Sequence, residues 1–137
     1  MDDQADAQAI ERIVRGYAAS IAKTPQEAEQ FISQLAAAVQ TDAAKLVHFG
    51  NTLFLILVRK RGMVEVHTIA HEEDSVTLAK NFVLLAKYLQ GIGVKVAYTY
   101  TDDPKFDLIA KRTKLPFKKK PLTLPDGKRV TTYYVEF

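Results

Sequence analysis

Apolar positions recur at helical spacing in the N-terminal third of the chain, then give way to continuous and alternating runs. Ile10, Ile13, Val14, Tyr17 and Ile21 form one stripe at intervals of three and four, which predicts a helix from about Gln4 to Ala22. Thr24-Pro25-Gln26-Glu27 reads as a restart signal, with Thr24 as N-cap, Pro25 at the first helical position and Glu27 three residues on. The second helix turns Ala28, Phe31, Ile32, Leu35 and Val39 inward, and its run Ala36-Ala37-Ala38 permits close approach by a neighbour. Thr41-Asp42 is expected to cap a further short turn through Val47.

Beyond this point the pattern changes period. Thr52–Arg59 is a strand by its apolar, β-branched and aromatic content, joined tightly through Lys60-Arg61-Gly62 to a second strand, Met63–Ala70. Leu78, Phe82, Leu85 and Leu89, widened by Val83 and Leu84, define a helix over Ser75–Gln90 that Gly91 and Gly93 end. Val94–Thr101 is the next strand, and Asp103-Pro104 opens a short helix with Phe106, Ile109 and Ala110 inward. Leu124-Pro125-Asp126-Gly127 is a turn between two closing strands, Leu115–Leu122 and Arg129–Phe137. The predicted order is α-α-β-β-α-β-α-β-β, an α+β class in which a mixed sheet is flanked by helices. A chain of 137 residues implies a single domain, with an N-terminal helical hairpin over 1–48 and a sheet core over 52–137.

Composition narrows the class. With 47% apolar and 26% charged residues the chain is an ordinary globular protein. No apolar run approaches the roughly 18 residues of a membrane span, and the acidic start (Asp2, Asp3, Asp6) carries no secretion signal. No membrane partner is expected, and the expected location is a virion or the host cytoplasm. The absence of cysteine removes disulfides, thiolate metal sites and cysteine nucleophiles. A net charge of +3 hides an asymmetry: residues 1–50 carry seven acids against four bases, whereas residues 104–129 carry nine bases against two acids. Such a basic segment suits an acidic protein partner, another copy's acidic half, or nucleic acid, and a solvated face is the simpler alternative.

Candidate chemistry is sparse. His67 and His71 are four apart, with Glu72, Glu73 and Asp74 close behind, but one lies in a strand and the other just past it, so no metal site is expected. Glu65 and His67 share a strand face and could act together as a base; a structural role is the simpler reading. Tyr98 and Tyr100 share one face of their strand, while Tyr133 and Tyr134 point oppositely, near Lys118-Lys119-Lys120. Aromatics beside bases can stack nucleobases, although no nucleic-acid motif accompanies them.

The element order, with Leu89-Gln90-Gly91-Ile92-Gly93-Val94-Lys95 after the central helix and Ile109-Ala-Lys-Arg-Thr-Lys-Leu-Pro-Phe117 in the closing helix, resembles the Gcn5-related N-acetyltransferase (GNAT) fold. The resemblance covers roughly Thr52–Phe137, with the opening helices similar to the pair preceding the family's sheet. The family's usual first strand is missing, and with it one early sheet strand. The family implies a glycine-bearing loop whose amides hold the coenzyme A pyrophosphate. Here that stretch is His71-Glu-Glu-Asp-Ser-Val-Thr77, acidic and without glycine. The family's tyrosine acid falls on Arg112, a poor proton donor, and Pro116 replaces the glycine of a Leu-Gly-Phe ending.

Small members of this fold that lack the motif also occur among virion and assembly proteins of tailed bacteriophages, and the chain is similar to these in size. The resemblance therefore implies a non-catalytic interaction or assembly module. It would be a phage virion-associated structural protein in several copies, as a homo-oligomer or part of a larger assembly, without catalytic residues, metal or cofactor. The alternative it implies is an acyl-CoA-dependent N-acetyltransferase with an atypical loop, holding acetyl-CoA at Ser75, Val76 and Thr77. A second alternative is a nucleic-acid-binding accessory protein. Contacts to a protein partner or nucleic acid would come from Lys111, Arg112, Lys114, Lys118, Lys119 and Lys120.

Overall fold

Thr24 ends one helix and starts another, as its surroundings predict: α1 covers Asp3–Ile21 and α2 covers Pro25–Gln40. The Glu27 N–H donates to Thr24 Oγ1 at 3.2 Å, and the Lys23 N–H donates to Glu27 Oε2 at 2.9 Å, a reciprocal cap. The computed structural model describes residues 3–40, 44–70 and 73–137, with side chains from residue 8 onward. Thr41 and Asp42, expected to cap a short turn, lie outside the described residues. From Ala44 the chain forms a strand in place of that turn, β1 (Ala44–Phe49). It pairs antiparallel with β2 (Thr52–Lys60), from Ala44↔Leu57 to Phe49↔Thr52. Gly50, at φ +59°, and Asn51 make the two-residue connection, a hairpin signal that the helical reading of this stretch overran.

The remaining elements are β3 (Met63–Ala70), α3 (Ser75–Gly91), β4 (Val96–Thr101), α4 (Lys105–Thr113), β5 (Lys118–Thr123) and β6 (Arg129–Glu136). The strands form one six-stranded sheet in the order β1-β2-β3-β4-β6-β5. The β3–β4 pair is parallel, while β1–β2, β4–β6 and β5–β6 are antiparallel. The mixed α+β class expected from the element order is the architecture observed, with one more strand than predicted.

The chain divides into two compact units, Met1–Leu57 with His67–Glu73, and Val58–Val66 with Asp74–Phe137. In the first, Ile13, Val14, Leu35, Leu53 and Ile69 form a buried cluster, with Ile10, Tyr17, Phe31 and Leu46 packed around it. Most of the helical stripe residues read from sequence build this core, but Ile21, placed in the first stripe, is 52% exposed at the last turn of α1. In the second, α3 buries Ala79, Phe82, Leu85, Ala86 and Leu89. Val66, Tyr133 and Val135 meet Phe82, Leu85, Ala86 and Leu89 around a shared apolar cavity, and all three are buried. Phe106 of α4 makes edge contacts with Phe82 and Tyr133, at 5.5 and 4.6 Å between ring centroids. Gly62 carries the β2–β3 turn at φ +76°, and its carbonyl accepts from the N–H groups of Lys95 and Val96 at 2.7 and 2.9 Å, which anchors the start of β4.

Candidate functional site

β3 and β4 pair only over Met63↔Val96, Val64↔Ala97 and Glu65↔Tyr98, and the ladder stops there. β4 goes on pairing with β6 as far as Thr101↔Thr131. The break therefore falls beside Glu65, an ionisable residue between Val64 and Val66 that is only 6% exposed. Buried carboxylates need partners, and Glu65 has two from the same unit. Arg59 Nη2 donates to Oε2 at 3.1 Å, and the Tyr98 hydroxyl donates to Oε1 at 3.0 Å. Burial first, then the bond to Glu65, pushes the Tyr98 phenol above its usual pKa.

Alternation along the strands sorts the side chains by face. Val66, Ala97, Thr99, Tyr133 and Val135 join α3 in lining a small apolar cavity of about 40 Å³. Tyr98 also borders this cavity, while its hydroxyl reaches Glu65, whose position on β3 alternates with Val66. The register continues their row across the sheet, Tyr98↔Tyr134 and then Tyr134↔Lys118, with Tyr100↔Thr132↔Lys120 beside it.

The start of α3 is capped by its own side chain. Asp74 is the N-cap, in extended backbone at φ −82° and ψ 169°, and its Oδ1 accepts from the Thr77 N–H at 2.7 Å. The Thr77 amide, chiefly, holds the Asp74 carboxyl below its usual pKa; the Val76 amide and the charge of Arg112 contribute less. Of the acidic loop read from sequence, His71 and Glu72 lie outside the described residues. Ser75, Val76 and Thr77 form the first turn of α3, where their amides belong to the helix end.

The six bases named as partner contacts do not form one face. Lys111 and Arg112 lie in the last turn of α4, and Lys114 is its C-cap in the left-handed region at φ 59°. On β5 the three lysines alternate. Lys119 binds Asp107 at 3.1 Å, and Asp107 also accepts from the Tyr133 hydroxyl at 3.0 Å, so this lysine is tied to the α4 side. Lys118 and Lys120 lie on the other face, 6.0 and 5.3 Å from the Tyr134 ring centroid. Among the described residues no group of three His, Cys, Asp or Glu side chains could hold a metal ion. Among them, too, no helix is long and apolar enough to cross a membrane.

Sequence reasoning paired Glu65 with His67, its neighbour on the same strand face. The partners of Glu65 include Arg59 and Tyr98, and Tyr98 is 33 residues away. A signal was present in the sequence, since a lone carboxylate between two apolar strand residues implies a buried partner. It could not say which one.

No family model and no curated relative matches the chain. Solved structures do. A probable acetyltransferase of the GNAT family from Chromobacterium violaceum superposes with a TM-score of 0.67 at 14% identity, over 93% of this chain and 83% of its own. RimL, a ribosomal L7/L12 alpha-N-protein acetyltransferase solved in complex with coenzyme A, gives 0.64 at 12% identity, over 99% and 91%. The microcin C7 self-immunity acetyltransferase MccE, in complex with acetyl-CoA and AMP, gives 0.60 at 12% identity, over 96% and 87%. These likenesses correct two expectations from sequence, that of a non-catalytic phage assembly module and that of a chain without a cofactor. The proteins it resembles are acetyltransferases by name, and two of them were solved holding coenzyme A or its acetyl form. The fold of this chain is the Gcn5-related N-acetyltransferase fold.

Proposed function

We propose that the protein is an acyl-CoA-dependent N-acyltransferase that uses acetyl-CoA and handles the amine proton through Tyr98 and Glu65. The observation that carries this reading is the parallel β3–β4 ladder breaking off beside a buried glutamate that holds a tyrosine hydroxyl. The fold likeness supplies the donor class, and the α3 start tests the fit. Asp74's own carboxylate shows that the amides of this turn, with Arg112 nearby, hold a negative group. A diphosphate would take the place of the Asp74 carboxylate on these amides. Ser75, Val76 and Thr77 would then hold it through their N–H groups, with Arg112 as a permanently charged partner.

When bound, acetyl-CoA would supply an acyl thioester, whose acyl carbon would join the amine nitrogen as the C–S bond breaks and a thiolate leaves, the proton taken from nitrogen returning through solvent to the thiolate. The chain's task is to strip the amine of its proton. Tyr98 Oη donates to Glu65 Oε1, so it can accept the amine proton while passing its own to Glu65. Arg59 keeps the other carboxylate oxygen fixed, which aims Oε1 at Tyr98.

Calorimetric titration with acetyl-CoA, paired with thiol release on a panel of primary amines, tests the reading. Binding in the micromolar range and turnover that falls on the order of 100-fold in Glu65→Gln are expected. Folded protein that gives no heat with millimolar acetyl-CoA overturns it.

A further inference from the structure

We propose that the acceptor is an acidic peptide, with its free amino end at Tyr98 and Glu65 and its carboxylate side chains on Lys118 and Lys120. This rests on the transferase reading above and adds the substrate class. It comes from the row of residues that the register lays across one sheet face: Glu65 on β3, Tyr98 on β4, Tyr134 on β6 and Lys118 on β5. One end of the row is a buried carboxylate with a phenol to receive an amine. The other end is basic.

The basic end is organised. Both Lys118 and Lys120 lie over the Tyr134 ring, a cation–π arrangement that holds flexible ammonium groups along the face. Lys118 is tied to Glu136 only at 3.6 Å, with both side chains more than half exposed, a weak pair. Lys120 pairs with no carboxylate among the described residues. Lys119, between them in sequence, faces the other way and is neutralised by Asp107. The face therefore keeps positive charge available where the opposite face spends it. Tyr100 and Thr132, directly paired, add hydroxyls between the two ends.

Spacing sets the length of the occupant. Three strand-to-strand steps of about 4.8 Å separate Glu65 from Lys118, roughly 14 Å. An extended peptide rises about 3.3 Å per residue, so carboxylates at about the fourth and fifth residues reach the lysines when the amino end is at Tyr98. A polyamine would set like charge against Lys118 and Lys120. A nucleic acid strand would need a longer track of bases than the two that share this face.

The test measures binding apart from turnover. A pentapeptide with a free amino end, acidic fourth and fifth residues and a C-terminal fluorophore is titrated with the full chain by anisotropy, beside its Asn-substituted neutral twin. The acidic peptide should bind at least tenfold more tightly, and Lys118→Gln/Lys120→Gln should abolish that preference while Lys119→Gln keeps it. Both lysines are exposed on an edge strand, and unchanged circular dichroism of the double variant confirms that it is folded. Equal binding of the two peptides, or a preference that survives the double substitution, overturns the proposal. So does tighter binding of a single-stranded oligonucleotide in the same assay. If the acidic peptide binds as expected but neither it nor any amine of the panel is acetylated by protein saturated with acetyl-CoA, the transferase reading fails and the peptide site stands; if other amines are acetylated and the bound peptide is not, the acceptor assignment fails. If other amines are acetylated but the acidic peptide is neither bound nor acetylated, only the acceptor assignment fails.

Discussion

Replacing Tyr98 with Phe removes one oxygen and leaves the ring, so the loss falls on the hydroxyl's bonds, first of them the one to Glu65 and then the contact with Arg59. The bond to Glu65 runs from a half-buried phenol to a carboxylate only 6% exposed, at 3.0 Å. Hydrogen bonds to charged acceptors contribute about 1.5–3 kcal/mol. Because Arg59 continues to serve the other oxygen and Tyr98 keeps some access to water, the lower part of that range applies, about 1.5–2 kcal/mol. For a chain of this length 1 kcal/mol corresponds to roughly 4 °C, so the melting temperature should fall by about 6–8 °C. Thermal denaturation of Tyr98→Phe, Glu65→Gln and the double variant closes a cycle, and a coupling of about 1–2 kcal/mol is expected. The pH dependence supplies a second reading. Burial and Glu65 raise the folded-state pKa of Tyr98 above its unfolded value of about 10. The stability tied to its proton is therefore complete below about pH 10 and is lost as pH rises through the folded pKa. Wild type should lose stability more steeply than Tyr98→Phe on the alkaline side. Tyr133, also raised by burial, is present in both proteins and cancels in the comparison. Additive losses together with parallel alkaline limbs would refute the pairing, and with it the proposed proton path.

Leu53, fully buried in the first unit's core, should cost about 3–5 kcal/mol as Leu53→Ala in urea denaturation, with an unchanged m-value. Gly62→Ala places a left-handed alanine whose Cβ meets Lys95 Cγ at 3.3 Å; a loss of about 1–2 kcal/mol is expected, and Lys95→Ala should not restore it, because the strain lies in φ. Asp74→Asn should lower the melting temperature while tightening acetyl-CoA severalfold by calorimetry, because the substitution removes a charge that competes for the α3 amides. Lys119 first, then Tyr133, hold the Asp107 carboxyl below its usual pKa. The stability it supplies is present above the unfolded value of about 3.9 and lost as pH falls through the folded one, so Asp107→Asn should flatten the acid limb of a denaturation profile.

Helices were the legible part of this sequence because their signals are local. Ile13, Val14, Leu35 and the Thr24 cap all act within a few residues of themselves, and each sits where its spacing places it. β1 escaped because Lys45–Phe49 is short and comes directly after an alanine-rich helix, so the Gly50-Asn51 hairpin signal was overridden by the preceding period. β5 opens at Lys118 and not at Leu115, since Lys114 turns the chain through the left-handed region first. The candidate site was less legible for a different reason. Arg59, Glu65 and Tyr98 meet only through strand pairing, and a one-residue change of register would have faced Tyr98 away from Glu65. The same holds for the lysines, where three consecutive identical residues divide between two faces.

The glycine question turns on what a helix end needs in order to bind an anion. Amide donors come from the first turn whatever its side chains, and glycine becomes necessary only where φ is positive or a Cβ would block the approach. Asp74 has ordinary extended backbone at φ −82°, so the entry to α3 requires no glycine for its own geometry. What the sequence change introduces is a resident competitor, one carboxylate on amides that another anion could share. A diphosphate brings more charge and more acceptor oxygens to the same donors, and Arg112 is attracted to it as it is to Asp74. Competition of that kind weakens an anion's affinity without removing its site. Under the proposed function, the acidic start of α3 would therefore bear on how tightly acetyl-CoA binds, and the pairing of Glu65 with Tyr98 on whether transfer follows.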